Sequence, residues 1–283
     1  MREHRYAKIA VAGSLLGLLM GAPALSADAP VAMAAVSAEQ ASQAETYFAT
    51  GKQFAMKRYF DRAMEDFNRA ISLDPGKAEY YDARGNLYYI LGHMKYTEGT
   101  GEKLQGEALQ NFLKAAEDYN EAIKLAPDNI SYYQARGIVY DALDEPDAAL
   151  ADYNKVIAAR PSDYSIYDRR ALAYLDKGDF AAAFKDLDKA LALNPKDDIN
   201  SYYRGLAYGR QGKLSEAMAM LDKATSTNKW FAEPWMIKGV IYERMNKPLE
   251  AYQAYVEFLA RDLEKNPYNQ AFVKNRMETI LKS

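Results

Sequence analysis

The side chains that could do chemistry in this sequence are carboxylates, guanidiniums and tyrosines, with little that is nucleophilic beside them. No cysteine occurs among the 283 residues, so thiol nucleophiles, disulfides and cysteine-based zinc sites are excluded together. The histidines are His4 and His93. One histidine could serve a serine, but no serine stands in a nucleophile elbow. The segment GTGEKLQG at 99–106 gathers glycines around a lysine, yet it lacks the phosphate-loop spacing and follows a helical stretch, not a strand. No His, Asp or Glu cluster shows metal-ligand spacing. These residues predict a protein that is not an enzyme and uses no cofactor or metal. A net charge of −3, from 36 Lys+Arg and 39 Asp+Glu, supplies no basic surplus for nucleic acid.

The elements that hold these side chains repeat. Prolines at Pro75, Pro127, Pro161 and Pro195 and small residues at Gly51, Gly85, Gly137, Ala171, Gly205 and Gly239 recur with a period of 34. They tile the chain as 44–77, 78–129, 130–163, 164–197, 198–231 and 232–265, the second unit carrying an 18-residue insertion at 95–112. In these units position 20 reads Ala63, Ala115, Ala149, Ala183, Ala217 and Ala251. Position 27 reads Ala70, Ala122, Val156, Ala190, Ala224 and Phe258. Small residues at 8, 20 and 27 let two helices approach, and aromatics at 4, 11 and 24 fill the space between them. Twelve of the 23 tyrosines occupy those aromatic positions, so the tyrosine content reports architecture.

This pattern resembles the tetratricopeptide repeat family over residues 44–265. The fold expected is all-α: a right-handed superhelical solenoid of six helix-turn-helix units, closed by a capping helix over 266–283.

Charge follows the same period. Position 7 carries Arg84, Arg136, Arg170 and Arg204, and position 23 carries Asp66, Asp118, Asp152 and Asp186. Pairing within a unit fails where Thr50 meets Asp66 and where Arg204 meets Met220. Pairing across successive units, each 18 residues apart, gives Asp66–Arg84, Asp118–Arg136, Asp152–Arg170 and Asp186–Arg204. The expectation is an inter-repeat ladder of bidentate ion pairs with a structural role.

The resemblance also implies a peptide-binding groove lined by the first helix of each unit, through positions 2, 5, 9, 12 and 13. Here those positions offer Phe48, Lys52, Asp82, Asn86, Tyr89, Gln134, Ile138, Asp141, Asp168, Leu172, Tyr202, Leu206, Arg210 and Met236. The set of Lys, Asn and Arg with which the family grips acidic C-terminal peptides is missing. The acids at its middle favour a basic or neutral segment instead.

At the N-terminus, Arg2, Arg5 and Lys8 precede a 12-residue apolar run at 9–20 and a small-residue exit near Ala24 and Ser26. This reads as a secretory signal peptide over 1–26, followed by a linker at 27–43. The run falls short of the roughly 20 residues of a spanning helix. Its removal would shift the net charge from −3 to −5. The second helix of the interrupted unit is expected to begin near Glu102, with Thr97–Gly101 as its tip. The reading is an exported, periplasmic or secreted scaffold that binds a protein or peptide in envelope assembly or secretion, without a membrane span in its mature form. The alternatives are a glycan- or cell-wall-binding module and a subunit that positions substrate for a partner enzyme.

Overall fold

The computed structural model describes residues 36–98, 104, 106–262 and 267–282. The segment read as a signal peptide, and the linker up to residue 35, lie outside the described residues. All regular structure among the described residues is helical. The order is α1 (Ala38–Met56), α2 (Phe60–Leu73), α3 (Ala78–Glu98), α4 (Gly106–Leu125), α5 (Ile130–Ala142), α6 (Pro146–Ala159), α7 (Tyr164–Lys177), α8 (Phe180–Leu193), α9 (Asp198–Arg210), α10 (Leu214–Thr227), α11 (Glu233–Arg244), α12 (Pro248–Arg261) and α13 (Pro267–Lys282).

Each odd-numbered helix forms a hairpin with the next, and each hairpin stacks on its neighbour, so the chain is a solenoid with one helix left over at the end. Helix α1 starts ahead of the repeat tiling, at Ala38. Ser37 and Gln40 form a reciprocal capping box there, satisfying two backbone N–H groups. Asn129, Asp163 and Asp197 open α5, α7 and α9 by accepting backbone N–H bonds. Each short hairpin turns through one residue at positive φ: Arg58, Asp144, Gly178, Gly212 and Asn246, all at repeat position 15.

The close approach within each hairpin is made by size. The alanines at position 20 are all 0 % exposed. A Cβ added at Gly137 would lie 2.7 Å from the Tyr153 ring, and one at Gly239 would lie 2.3 Å from that of Tyr255. In these repeats position 8 of the first helix receives the position-24 ring of the second, leaving no room for a methyl group; in repeat 4, where position 24 is Leu187, position 8 is Ala171.

The insertion is shared between both helices of its hairpin. Helix α3 has 21 residues where α5 has 13, and α4 has 20 where α6 has 14. The expected start near Glu102 is thus replaced by one at Gly106, and residues 97 and 98 belong to α3. The added turns repeat the interlock of the hairpin. Seven residues beyond Gly85, Gly92 faces Phe112, which stands seven residues before Tyr119; an added Cβ would lie 2.9 Å from its ring. Leu104, Ala108 and Phe112 are buried along this extension.

The ion pairs form a different ladder from the expected one. Arg84 meets Asp118, Arg136 meets Asp152 and Arg170 meets Asp186, each within one repeat. Arg136, for example, donates through Nε and Nη2 to the two carboxylate oxygens at 2.8 and 2.7 Å. Asp66 accepts from the Thr50 hydroxyl at 2.6 Å instead of reaching Arg84. Arg204 pairs with Asp188, not Asp186. The reason is helical geometry. Positions 23 and 25 lie about 200° apart around the second helix, so position 23 faces its own hairpin and position 25 faces the next repeat. The inter-repeat contact accordingly comes from position 25: Asn68 to Arg84, Asn120 to Arg136 and Asn154 to Arg170, at 2.7, 2.7 and 2.6 Å. Tyrosines at positions 4 and 11 flank the guanidinium, as Tyr133 and Tyr140 do at 5.6 and 5.7 Å from Arg136.

Candidate functional site

The odd-numbered helices contact one another along the stack, and the side chains at their expected groove positions divide into wall and open surface. Phe48, Tyr202, Leu206 and Met236 belong to the wall. Each is buried, Phe48 against Tyr80 at 4.7 Å between ring centroids and Tyr202 against Phe231 at 5.2 Å. Lys52, Asn86 and Arg210 are exposed, while Asp82, Tyr89, Gln134, Ile138, Asp141 and Leu172 are half-buried.

An apolar groove of about 590 Å³ lies between α1 and α3. Lys52, Gln53 and Asn86 supply its polar groups. Its apolar lining includes Met56, Phe67, Leu87 and Ile90. Met56 is 77 % exposed and Ile90 is 42 % exposed. Both stand at repeat position 13 and were not singled out from the sequence, although that position was already among the groove positions. Lys52 stays over the Phe48 ring, its Nζ 4.2 Å from the centroid, which keeps its charge at the rim.

The acids of the middle are largely engaged by the protein itself. Asp82 Oδ1 accepts from Asn86 at 3.0 Å. Asp141 accepts from the Tyr153 hydroxyl, which reaches it from the second helix of the same hairpin. Burial pushes the Asp141 carboxyl up to about 7, against the opposing effect of that hydrogen bond. Asp168 is buried beneath the surface, and burial followed by the neighbouring Asp197 raises its carboxyl well above the usual range. Asp176 and Arg210, adjacent along the inner face, pair at 3.0 Å. Gln134 accepts from Arg160 at 3.1 Å. At neutral pH this stretch carries less negative charge than its residue types suggest, which weakens the case for a strongly basic ligand. Among the described residues there is no cluster of His, Asp or Glu able to hold a metal ion, and no helix is long and apolar enough to cross a membrane.

A stack of helical hairpins with interlocked small and aromatic positions defines a helical-repeat solenoid. Residues 107–167 and 168–233 match the family model described as tetratricopeptide repeat, so the hairpins over this stretch are tetratricopeptide repeats. No curated protein matches it. Among solved structures it is similar to PilW, described as a widely conserved type IV pilus biogenesis factor, at 17 % identity and a TM-score of 0.62, covering 84 % of this chain and 98 % of that one. It is also similar to YrrB, described as a TPR protein with an unusual peptide-binding site, at 19 % identity and a TM-score of 0.53, over 69 % of this chain and 94 % of that one. A third is MamA from Desulfovibrio magneticus RS-1, at 17 % identity and a TM-score of 0.57, over 69 % of this chain and 98 % of that one. At these identities the likeness is one of fold.

Proposed function

We propose that this protein is an exported, non-enzymatic scaffold that holds a segment of another protein along its inner face, in envelope assembly or secretion. The observation that carries the reading is the groove between α1 and α3, where Met56 and Ile90 stay exposed beside a polar rim. Exposed apolar side chains rimmed by polar groups are what a peptide-binding surface offers. The segment that fits is neutral or mildly basic. It places apolar side chains between Met56 and Ile90 and runs on past Asp82, Ile138 and Leu172. The descriptions of PilW, as a pilus biogenesis factor, and of YrrB, as a protein with a peptide-binding site, are in keeping with this role. Export rests on the basic, apolar and small-residue succession of residues 1–26.

The test is cross-linking from the envelope fraction of cells producing either the full chain or its Met56→Glu/Ile90→Glu variant. Both side chains are exposed, so the variant should keep the wild-type melting temperature and lose the cross-linked partner. A partner retained by the variant removes the groove from the reading. Binding to purified cell wall with no protein partner would replace the scaffold by the glycan-binding alternative. Sequencing of the mature N-terminus checks export, with cleavage expected near Ser26.

A further inference from the structure

Repeat 5 carries Met220 where each of the first four repeats carries an aspartate, and the consequence reaches the buried acids of repeat 4. With no acid at position 23 of its own hairpin, Arg204 pairs with Asp188 of α8 and donates through Nε to Asn200 Oδ1 at 2.9 Å. That contact identifies the oxygen end of the Asn200 amide. Asn200 is wholly buried, and its Nδ2 donates to the Leu187 carbonyl at 2.7 Å and to Asp168 Oδ1 at 3.3 Å. Asp168, 4 % exposed, has the Asp197 carboxyl within hydrogen-bonding reach. Asp197 is 6 % exposed; its Oδ1 accepts from the Ile199 N–H at 3.0 Å, and its Oδ2 is buried with no donor.

Two ionised carboxylates cannot hydrogen-bond to each other, and a buried acceptor without a donor is costly. A proton held between the two acids removes both difficulties. We propose that Asp168 and Asp197 share one proton in the folded protein at neutral pH, and that this pair is a pH-sensitive fastener between α7 and α9.

The charged and titratable groups facing the pair are few. Helix α9 contributes Arg204 and Tyr203. Arg169 of α7 and Asp141 of α5 act on Tyr203 beside the pair. From α8 comes the Leu187 carbonyl, while Asp188 neutralises Arg204. Among the described residues no cation is ion-paired with either carboxylate, and burial followed by the neighbouring Asp197 holds the Asp168 carboxyl above its ordinary range. The direction of the pH effect follows. The folded pair keeps a proton that the unfolded chain loses at about pH 4, so stability falls as pH rises from there until the folded pair itself ionises.

The test is amide hydrogen exchange over α9 in the full chain, from about pH 5 to about pH 9, after correction for intrinsic exchange rates. In the wild type, protection of these amides should fall about tenfold per pH unit while the folded pair keeps its proton, and level off once that proton is lost. Asp168→Asn supplies a permanent N–H to Asp197, and its protection should stay level over the same range. Asp197→Asn, which still caps α9, should also be level and guards against misfolding of the first variant. Asp141→Asn should leave the wild-type slope over α9 in place. Equal slopes in the wild type and Asp168→Asn overturn the proposal. If both pair variants unfold, carboxyl ¹³C shifts of the wild type decide. Aspartates that all titrate in the ordinary range overturn the proposal, and a buried aspartate still protonated at neutral pH upholds it.

Discussion

At the scale of the residue, the ladder follows a charge rule. Arg84, Arg136 and Arg170 each meet one aspartate of their own repeat and one asparagine of the repeat before. Where position 23 becomes Met220 or Ala254, position 25 of the preceding repeat becomes an aspartate: Asp188 meets Arg204 and Asp222 meets Lys238. Every base at position 7 thus receives one carboxylate, from one side or the other. Asp152 is 2 % exposed, so Asp152→Met should strand the Arg136 charge and cost about 3 kcal/mol, read as a fall in the urea midpoint. Adding Asn120→Asp reproduces the arrangement around Arg204 and should recover most of that loss. If the double variant is no more stable than the single one, the rule is wrong. The residue types of this ladder were legible in the sequence, but the pairing was not. Spacings of 16 and 18 residues were both on offer, and a repeat period names rows of residues without saying which neighbour each row faces. Asn68, Asn120 and Asn154, being uncharged, gave no electrostatic reason to include position 25.

At the scale of the element, the hairpins were the most legible part of the protein. A packing constraint acts on residue size at fixed intervals, and size can be read directly from residue type. The constraint is tightest at Gly239, where Gly239→Ala would set a methyl group 2.3 Å from the buried Tyr255 ring. The helix-propensity gain of about 1 kcal/mol for alanine over glycine should be outweighed by an overpacking cost of about 1–3 kcal/mol or more, measured as a lower melting temperature. The insertion was harder to read. Its apolar stripe from Leu104 through Phe112 pointed to a longer α4, whereas the extension of α3 rests on the single facing glycine, Gly92. A lone glycine inside a helix reads as a weak point until the ring that fills its place is known.

At the scale of the whole molecule, six hairpins stack and α13 covers the last of them. Val273 of α13 is fully buried against α11 and α12, with Phe272, Met277 and Ile280 beside it. Val273→Asp should therefore release α13 and expose the last apolar face, seen as early proteolysis of the C-terminal repeat while the N-terminal repeats stay protected. The expected groove positions could be read from the repeat, but which of them are wall and which are open surface could not. Position 5 differs between repeats, since Phe48, Asp168, Tyr202 and Met236 are buried while Asp82 and Gln134 are only half-buried. Bulk at neighbouring positions decides which applies, and a one-dimensional pattern does not carry that. The charge rule also limits how such a chain can be lengthened or recombined. Repeats 2 and 3 keep their own aspartate and offer an asparagine onward, so a duplicate of either could follow itself without disturbing the account. Repeat 5 lacks its own acid and offers Asp222 onward, so it too could follow itself. Repeat 4 holds Asp186 and offers Asp188; a second copy behind it would set one arginine between two carboxylates. It is an adaptor between two incompatible kinds of connector, and duplication of this chain should tolerate every central repeat except that one.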